Sequence, residues 1–165
     1  MNEPASFLIK PVRSADDLAS VIKLFRAYAG SLDVDLAYQN FEAEMAAMPG
    51  RYAPPHGELL LACNSNGAPM GCVGLRPLDH PGCCEMKRLY VSPEARGMGL
   101  GRLLVEAVLR EAERIGYSEM RLDTLPFMDD AIALYRRLGF EPMEPYYDTP
   151  VVGTIFLRRS LRQAS

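Results

Sequence analysis

The chain of 165 residues lacks most of what marks the commoner functional classes. It contains no apolar run of about 18 residues, the length that a membrane-spanning helix requires. Its opening, MNEPASFLIK, has no positively charged segment leading into a long apolar one, so no export signal is read. Positive charge is not in excess: 21 acidic residues face 18 basic ones, for a net charge of -3. That balance offers no electrostatic footprint for nucleic acid or for an anionic membrane, and small molecules or local peptide segments are the expected partners. Histidine is scarce. His56 and His80 both lie in Pro/Gly loops without an HxxxH spacing or a cysteine partner, and they read as turn residues. Cys63, Cys72, Cys83 and Cys84 form no CxxC pair, and the neighbours Cys83 and Cys84 cannot easily bridge each other within a strand or ligate one metal together. They are expected to be reduced core residues of a cytoplasmic protein that holds no metal. A covalent acyl-transfer route through Cys83 or Cys84 lacks a paired histidine or asparagine nearby. No repeat, low-complexity block or linker divides the sequence, so one domain spanning 1–165 is expected.

What the chain does have is 48% apolar residues arranged in readable periods. Residues 6–12 read as a short strand. Ser14 then caps a helix whose first turn carries Asp16 and Asp17 and whose apolar face is Leu18, Val21, Ile22 and Phe25, with Gly30 as its stop. A weaker helix covers roughly 38–48. ELLLAC, PMGCVGLRPL and CCEMKRLYV follow as three strands with turn signals between them, which predicts an antiparallel meander. A helix over 100–115 shows Leu100, Leu103, Leu104, Ala107, Val108, Ala112 and Ile115 on one face and ends at Gly116. The remaining elements are a strand at 118–124, a helix at 128–138, a strand at 140–146 and a last strand near 151–158. The predicted order is β-α-α-β-β-β-α-β-α-β-β.

The stretch EARGMGLGRLL, residues 94–104, places Gly97, Gly99 and Gly101 at alternate positions just where a helix begins. A helix start directs free backbone N–H groups and the positive end of the dipole at one spot, which describes an anion site. Glycine lets the backbone touch the anion, although a tight strand-to-helix connection would use the same residues for their backbone angles. Two familiar phosphate motifs fail by spacing. A P-loop needs Lys and then Ser or Thr after its last glycine, where Arg102 and Leu103 stand, and a dinucleotide fingerprint needs glycine at the position of Arg102.

The run EMKRLYVSPEARGMGLGRLL, joined to ALYRRLGF downstream, resembles the GNAT superfamily of N-acetyltransferases, whose pyrophosphate loop follows Arg/Gln-x-x-Gly-x-Gly/Ala. Arg96, Gly99 and Gly101 occupy its defining positions. The resemblance covers nearly the whole chain. It implies an α/β (α+β) fold with a mixed, mostly antiparallel central sheet of six to seven strands and helices on both faces. It implies acetyl-CoA as co-substrate, its pyrophosphate cradled by the N–H groups of Gly97, Met98, Gly99, Leu100, Gly101 and Arg102 behind Arg96. Strands 84–91 and 118–124 would run parallel and splay apart, leaving a slot where pantetheine pairs with the backbone of Leu89, Tyr90 and Val91. A main-chain N–H near Leu89 would polarise the thioester carbonyl. Met128 departs from the asparagine that many members carry at the start of the later helix.

For the chemistry, Glu85 occupies the strand position where several members hold a base acting directly or through water; the competing reading is a carboxylate paired with Lys87 or Arg88. Tyr135 matches the family tyrosine beside the coenzyme sulfur, while its helical spacing also suits a core residue. Asp33, Asp35 and Glu42 fall in the helical hairpin that would close over the acceptor and select a cationic amine, or they form a solvated face. The implied activity is acetyl transfer to an amine by direct attack in a ternary complex. The amine belongs to a small molecule or a protein, and a homodimer through the last strand is a further possibility. The rival reading is an acyl-CoA-binding sensor that has lost catalysis.

Overall fold

The computed structural model describes residues 6–32 and 34–161. The order of strands and longer helices follows the expected one: β1 (Leu8–Pro11), α1 (Ala15–Ser31), α2 (Phe41–Ala46), β2 (Glu58–Cys63), β3 (Pro69–Pro77), β4 (Cys83–Val91), α3 (Leu100–Ile115), β5 (Glu119–Thr124), α4 (Asp129–Arg137), β6 (Glu141–Pro142) and β7 (Ile155–Ser160). The strands form one seven-stranded sheet in the order β1-β2-β3-β4-β5-β7-β6. Every neighbouring pair is antiparallel except β4 with β5.

Local signals explain most of the boundaries. The Ser14 side chain accepts the Asp17 N–H at 3.1 Å and starts α1 as a cap, with Asp16 and Asp17 favourably placed against the helix dipole. Gly116 adopts φ 109° and ends α3, and the Tyr117 N–H returns to the Ala112 carbonyl at 3.1 Å. Gly139, φ 94°, does the same for α4, with Phe140 N–H bonded to the Tyr135 carbonyl at 3.0 Å.

Gly30, expected to stop α1, lies within it, and the helix ends at Ser31. Three further boundaries differ from expectation. The helix expected at 38–48 is split at Asn40, whose left-handed φ of 56° separates a 3₁₀ turn (Leu36–Gln39) from α2. The strand expected at 140–146 contracts to Glu141–Pro142, because Pro142 and Pro145 remove ladder donors. The last strand begins at Ile155, since Pro150 and Gly153 (φ 84°) turn the chain first.

Packing divides into two cores, one on each face of the sheet. Leu100, Leu104, Val108 and Ala112 of α3 pack with Met86, Met120, Leu122 and Leu157. On the opposite face Val21, Leu24 and Phe25 of α1 meet Phe41, Met45, Leu61 and Cys72. Each buried leucine contributes roughly 1.5–3 kcal/mol, so these faces fix the helices and leave the ends of β4 and β5 free to diverge.

Candidate active site

Strands β4 and β5 pair only over Cys83–Glu85 with Glu119–Arg121. Beyond those rungs they part, and a cavity of about 530 Å³ opens between them. One edge of β4 therefore carries backbone groups without a strand partner as far as Val91, and such groups call for a ligand or water.

A β-bulge shapes that edge. The β3 register passes from Gly74 opposite Lys87 to Cys72 opposite Tyr90, so Arg88 and Leu89 share the place of one residue. Arg88 takes φ 61°, unusual for a side chain with a Cβ. Its guanidinium is held on the α1/α2 side by Glu44, with Nε to Oε2 at 3.2 Å, and by Gln39, with Nη1 to Oε1 at 2.7 Å.

At one end of the cavity lies the glycine turn. Gly97 and Gly99 have φ 80° and 78°, Gly99 caps α3, and no atom would meet a Cβ at either position within 4 Å. The first-turn N–H groups of a helix have no partner within it, and here Gly99, Leu100 and Gly101 border the cavity. Arg96 is anchored beside the turn, donating from Nε to the Val91 carbonyl at 3.2 Å with its guanidinium 5.9 Å above the Tyr90 ring. This donor set and its clearance suit a pyrophosphate. Gly101 differs, since its added Cβ would make ordinary contacts with Leu134 Cδ2 at 3.6 Å and Val91 Cγ2 at 3.9 Å.

The other end is charged. Met120 and Leu122 point into the α3 core, so the alternation of β5 sends Asp123 to the α1 face. There Asp123 Oδ1 stands 3.6 Å from Lys87 Nζ, and both side chains are 7% exposed. Tyr147 donates its hydroxyl to Asp123 Oδ2 at 2.8 Å. Lys87, Asp123, Gln39 and Tyr28 line the cavity from this face, while Leu122, Thr124 and Tyr135 line it from the other. The cavity passes through the sheet.

Comparison with known proteins decides the family. Residues 19–140 match the sequence model of the Acetyltransferase (GNAT) family. The chain is a GNAT acetyltransferase. An uncharacterized N-acetyltransferase of Schizosaccharomyces pombe is 42% identical over 158 residues, which is 96% of this chain and 97% of that protein. A GNAT-family acetyltransferase of Staphylococcus aureus shares the fold with a TM-score of 0.79 at 19% identity, over 95% of this chain and 100% of that one. A phosphinothricin acetyltransferase of Sinorhizobium meliloti, solved in complex with acetyl-CoA, aligns with a TM-score of 0.69 at 21% identity, over 96% and 89% of the two chains. GNAT enzymes draw their acetyl group from acetyl-CoA.

Within this GNAT enzyme the expected cofactor residues Leu89, Tyr90, Val91, Arg96, Gly97, Gly99, Leu100 and Gly101 all border the cavity. Met98 points to solvent, and Arg102 pairs with Glu106 at 2.7 Å; their side chains stand apart from the cavity lining, although the role expected of them concerns backbone N–H groups. Tyr135 lines the cavity in edge contact with Phe140, ring centroids 5.8 Å apart. Burial, reinforced by Tyr28 and Asp123, pushes its phenol well above the usual tyrosine range.

Glu85 is placed differently from the expectation. It does not line the cavity, and both oxygens are engaged: Oε1 by Arg76 Nε at 2.8 Å and Oε2 by the Tyr146 hydroxyl at 2.6 Å. Its partner is thus Arg76, and neither Lys87 nor Arg88. Asp33 lies outside the described residues. Asp35 caps the 3₁₀ turn through Ala37 N–H at 2.9 Å, and Glu42 pairs with Arg26 at 3.0 Å on the surface, so neither reaches the cavity. The hairpin contributes Tyr28, Ser31 and Gln39 to the wall instead. His56 and His80 sit in loops away from the slot, and burial raises the thiols of Cys72 and Cys84 far from reactivity. Among the described residues no helix is long and apolar enough to cross a membrane.

Asp123, Lys87, Tyr146 and Tyr147 are the residues that the sequence reading missed. The one available signal was a carboxylate placed between two inward-facing residues of the strand predicted to border the slot.

Proposed function

We propose that the protein transfers the acetyl group of acetyl-CoA to a primary amine by direct attack within a ternary complex. One observation carries this reading: a single cavity joins the glycine turn on one face of the sheet to Lys87 and Asp123 on the other. Donor and acceptor reach the same point from opposite faces, which converts a bimolecular encounter into a positioned one.

The thioester supplies an activated acetyl group, and the chain does the rest. The N–H groups of residues 97–102, with Arg96, hold the pyrophosphate. The unpaired edge at Leu89, Tyr90 and Val91 extends the sheet with the pantetheine arm. An N–H near Leu89, displaced by the bulge, donates to the thioester oxygen as charge builds there. An ammonium has no lone pair, so the acceptor must lose a proton before it attacks. Asp123, on the wall, takes that proton; Glu85 stands off the wall, held by Arg76 and by the Tyr146 hydroxyl. Tyr135 stays protonated and gives its proton to the departing sulfur. Burial disfavours the thiolate as it disfavours the phenolate, so the two affinities for the proton rise together.

The test is a panel of primary amines incubated with purified protein and acetyl-CoA, with free thiol as the readout. Thiol release that depends on the amine is the expected result. Tight acetyl-CoA binding by calorimetry, with no amine raising release above hydrolysis, would replace the enzyme with the sensor reading.

A further inference from the structure

We infer that the acceptor is a free α-amino acid, whose ammonium is taken by Asp123 and whose carboxylate is taken by Lys87. This deepens the transferase reading by naming the substrate class of the same site.

Lys87 is a buried cation that is weakly held. Its ammonium has three donors, yet its contacts among the described residues are Gln39 Oε1 at 3.4 Å and Asp123 Oδ1 at 3.6 Å. Charged contacts of this kind normally close to about 2.7–2.9 Å. A cation kept from water without a close partner is costly, and an entering anion would satisfy it. Among the described residues Asp123 has the complementary gap: Tyr147 occupies Oδ2, and Oδ1 has only the distant lysine.

Both groups project from neighbouring strands into the same end of the cavity. In an α-amino acid a single carbon separates ammonium from carboxylate. Such a zwitterion can lie beside the Lys87–Asp123 pair with opposite charges adjacent at every corner. The surrounding charges do not compete for it, because Arg88 is committed to Glu44 and Gln39, and Arg76 to Glu85 and Glu44. An amine without a carboxylate gains at Asp123 and is repelled by Lys87. A polyamine brings a second cation toward that lysine. A peptide N-terminus carries an uncharged amide where the carboxylate should be.

The step balances within the slot. The ammonium first gives one proton to Asp123, which passes it to solvent. The amino nitrogen then bonds to the acetyl carbon as the carbon–sulfur bond breaks, the sulfur takes the Tyr135 proton, and the second nitrogen proton leaves by way of water that reprotonates the tyrosine. The product is an N-acetylated amino acid whose amide nitrogen is neutral. It keeps its carboxylate at Lys87 and has lost the ammonium that held it to Asp123, which favours release.

The experiment compares matched series: free amino acids such as leucine and phenylalanine, their carboxamides, and their decarboxylated amines. The readouts are thiol release and calorimetric binding to the CoA-loaded protein. The free acids should exceed both analogues in kcat/KM by about 10- to 100-fold, the worth of one charged hydrogen bond. Lys87→Met should collapse that preference, and Lys87→Arg should restore part of it. Carboxamides or plain amines matching the acids overturn the inference and leave the transferase intact. Acids that bind by calorimetry in a Lys87-dependent way, with no turnover, uphold the inference and sink the transferase. Absence of both binding and turnover sinks both. The substrate comparison uses the wild-type protein, so it stands even if Lys87→Met fails to fold.

Discussion

The glycine turn before α3 and the charged wall of Lys87 and Asp123 lie at opposite ends of one cavity, and they are built from different materials. The turn is made of backbone from one short stretch, residues 97–102, in which Gly97 and Gly99 supply the left-handed angles and the clearance. The wall is made of side chains. Lys87 comes from β4, Asp123 from β5, Gln39 from the turn before α2 and Tyr147 from the β6–β7 connection. A backbone site binds what every acyl-CoA has in common and tolerates little change in local conformation. A side-chain site can be altered one residue at a time without disturbing the fold, and there an acceptor is chosen.

The sharpest way to break this contrast is to compare two carboxylates. Asp123→Asn keeps an oxygen for Tyr147 and removes the proton acceptor from the wall, so kcat should fall roughly 10²- to 10⁴-fold. Glu85→Gln, one layer behind, should cost only a few-fold, because Arg76 retains Glu44 at 3.5 Å. Steady-state kinetics at saturating acetyl-CoA decide it, and equal losses would return the base to Glu85. Next in size is Tyr135→Phe, with an expected drop in kcat of about 10²-fold and no change in acetyl-CoA affinity. The wild-type rate should show no loss through phenol ionisation as pH rises to about 10, since burial holds that group above its ordinary value. A mutant with full kcat, where chemistry is rate-limiting, would make Tyr135 a packing residue. The smallest effect separates two glycines. Gly99→Ala must bear a left-handed φ at roughly 1–2 kcal/mol and should weaken acetyl-CoA binding about tenfold, whereas Gly101→Ala should be nearly silent. Calorimetry on both variants would erase the distinction if the two affinities moved alike.

The same contrast explains how much of the molecule was legible in its sequence. The glycine turn could be read because its signals are local: glycines at fixed offsets, a helix start, and an Arg-x-x-Gly-x-Gly spacing. Helix caps at Ser14, Gly116 and Gly139 were legible for the same reason. The charged wall was not. The Tyr146–Glu85 bond joins residues 61 apart, and no period in the chain announces it. Arg76 became the partner of Glu85 through β3–β4 register, where Arg76 faces Glu85 directly, while the expectation looked to neighbours along the strand. The contraction of β6 turned on two prolines within an otherwise extended stretch.

The bulge at Arg88 acts as a phase shift in the strand. Before it, Cys84 and Met86 pack on the α3 core and Lys87 looks toward α1; after it, Leu89 and Val91 join the α3 side and Tyr90 meets Tyr28 of α1, ring centroids 6.2 Å apart. Odd-numbered positions have exchanged faces in mid-strand. One extra residue thus lets a single strand present Lys87 on the α1 side with its first half, and Leu89 and Val91 on the α3 side with its second. Deleting that residue would close the bulge and leave every face as it is, because Lys87, Leu89, Tyr90 and Val91 would then simply alternate. Keeping it but pairing the strand regularly would be the graver change, for it would send Leu89 and Val91 to the α1 face and turn Tyr90 into the α3 core.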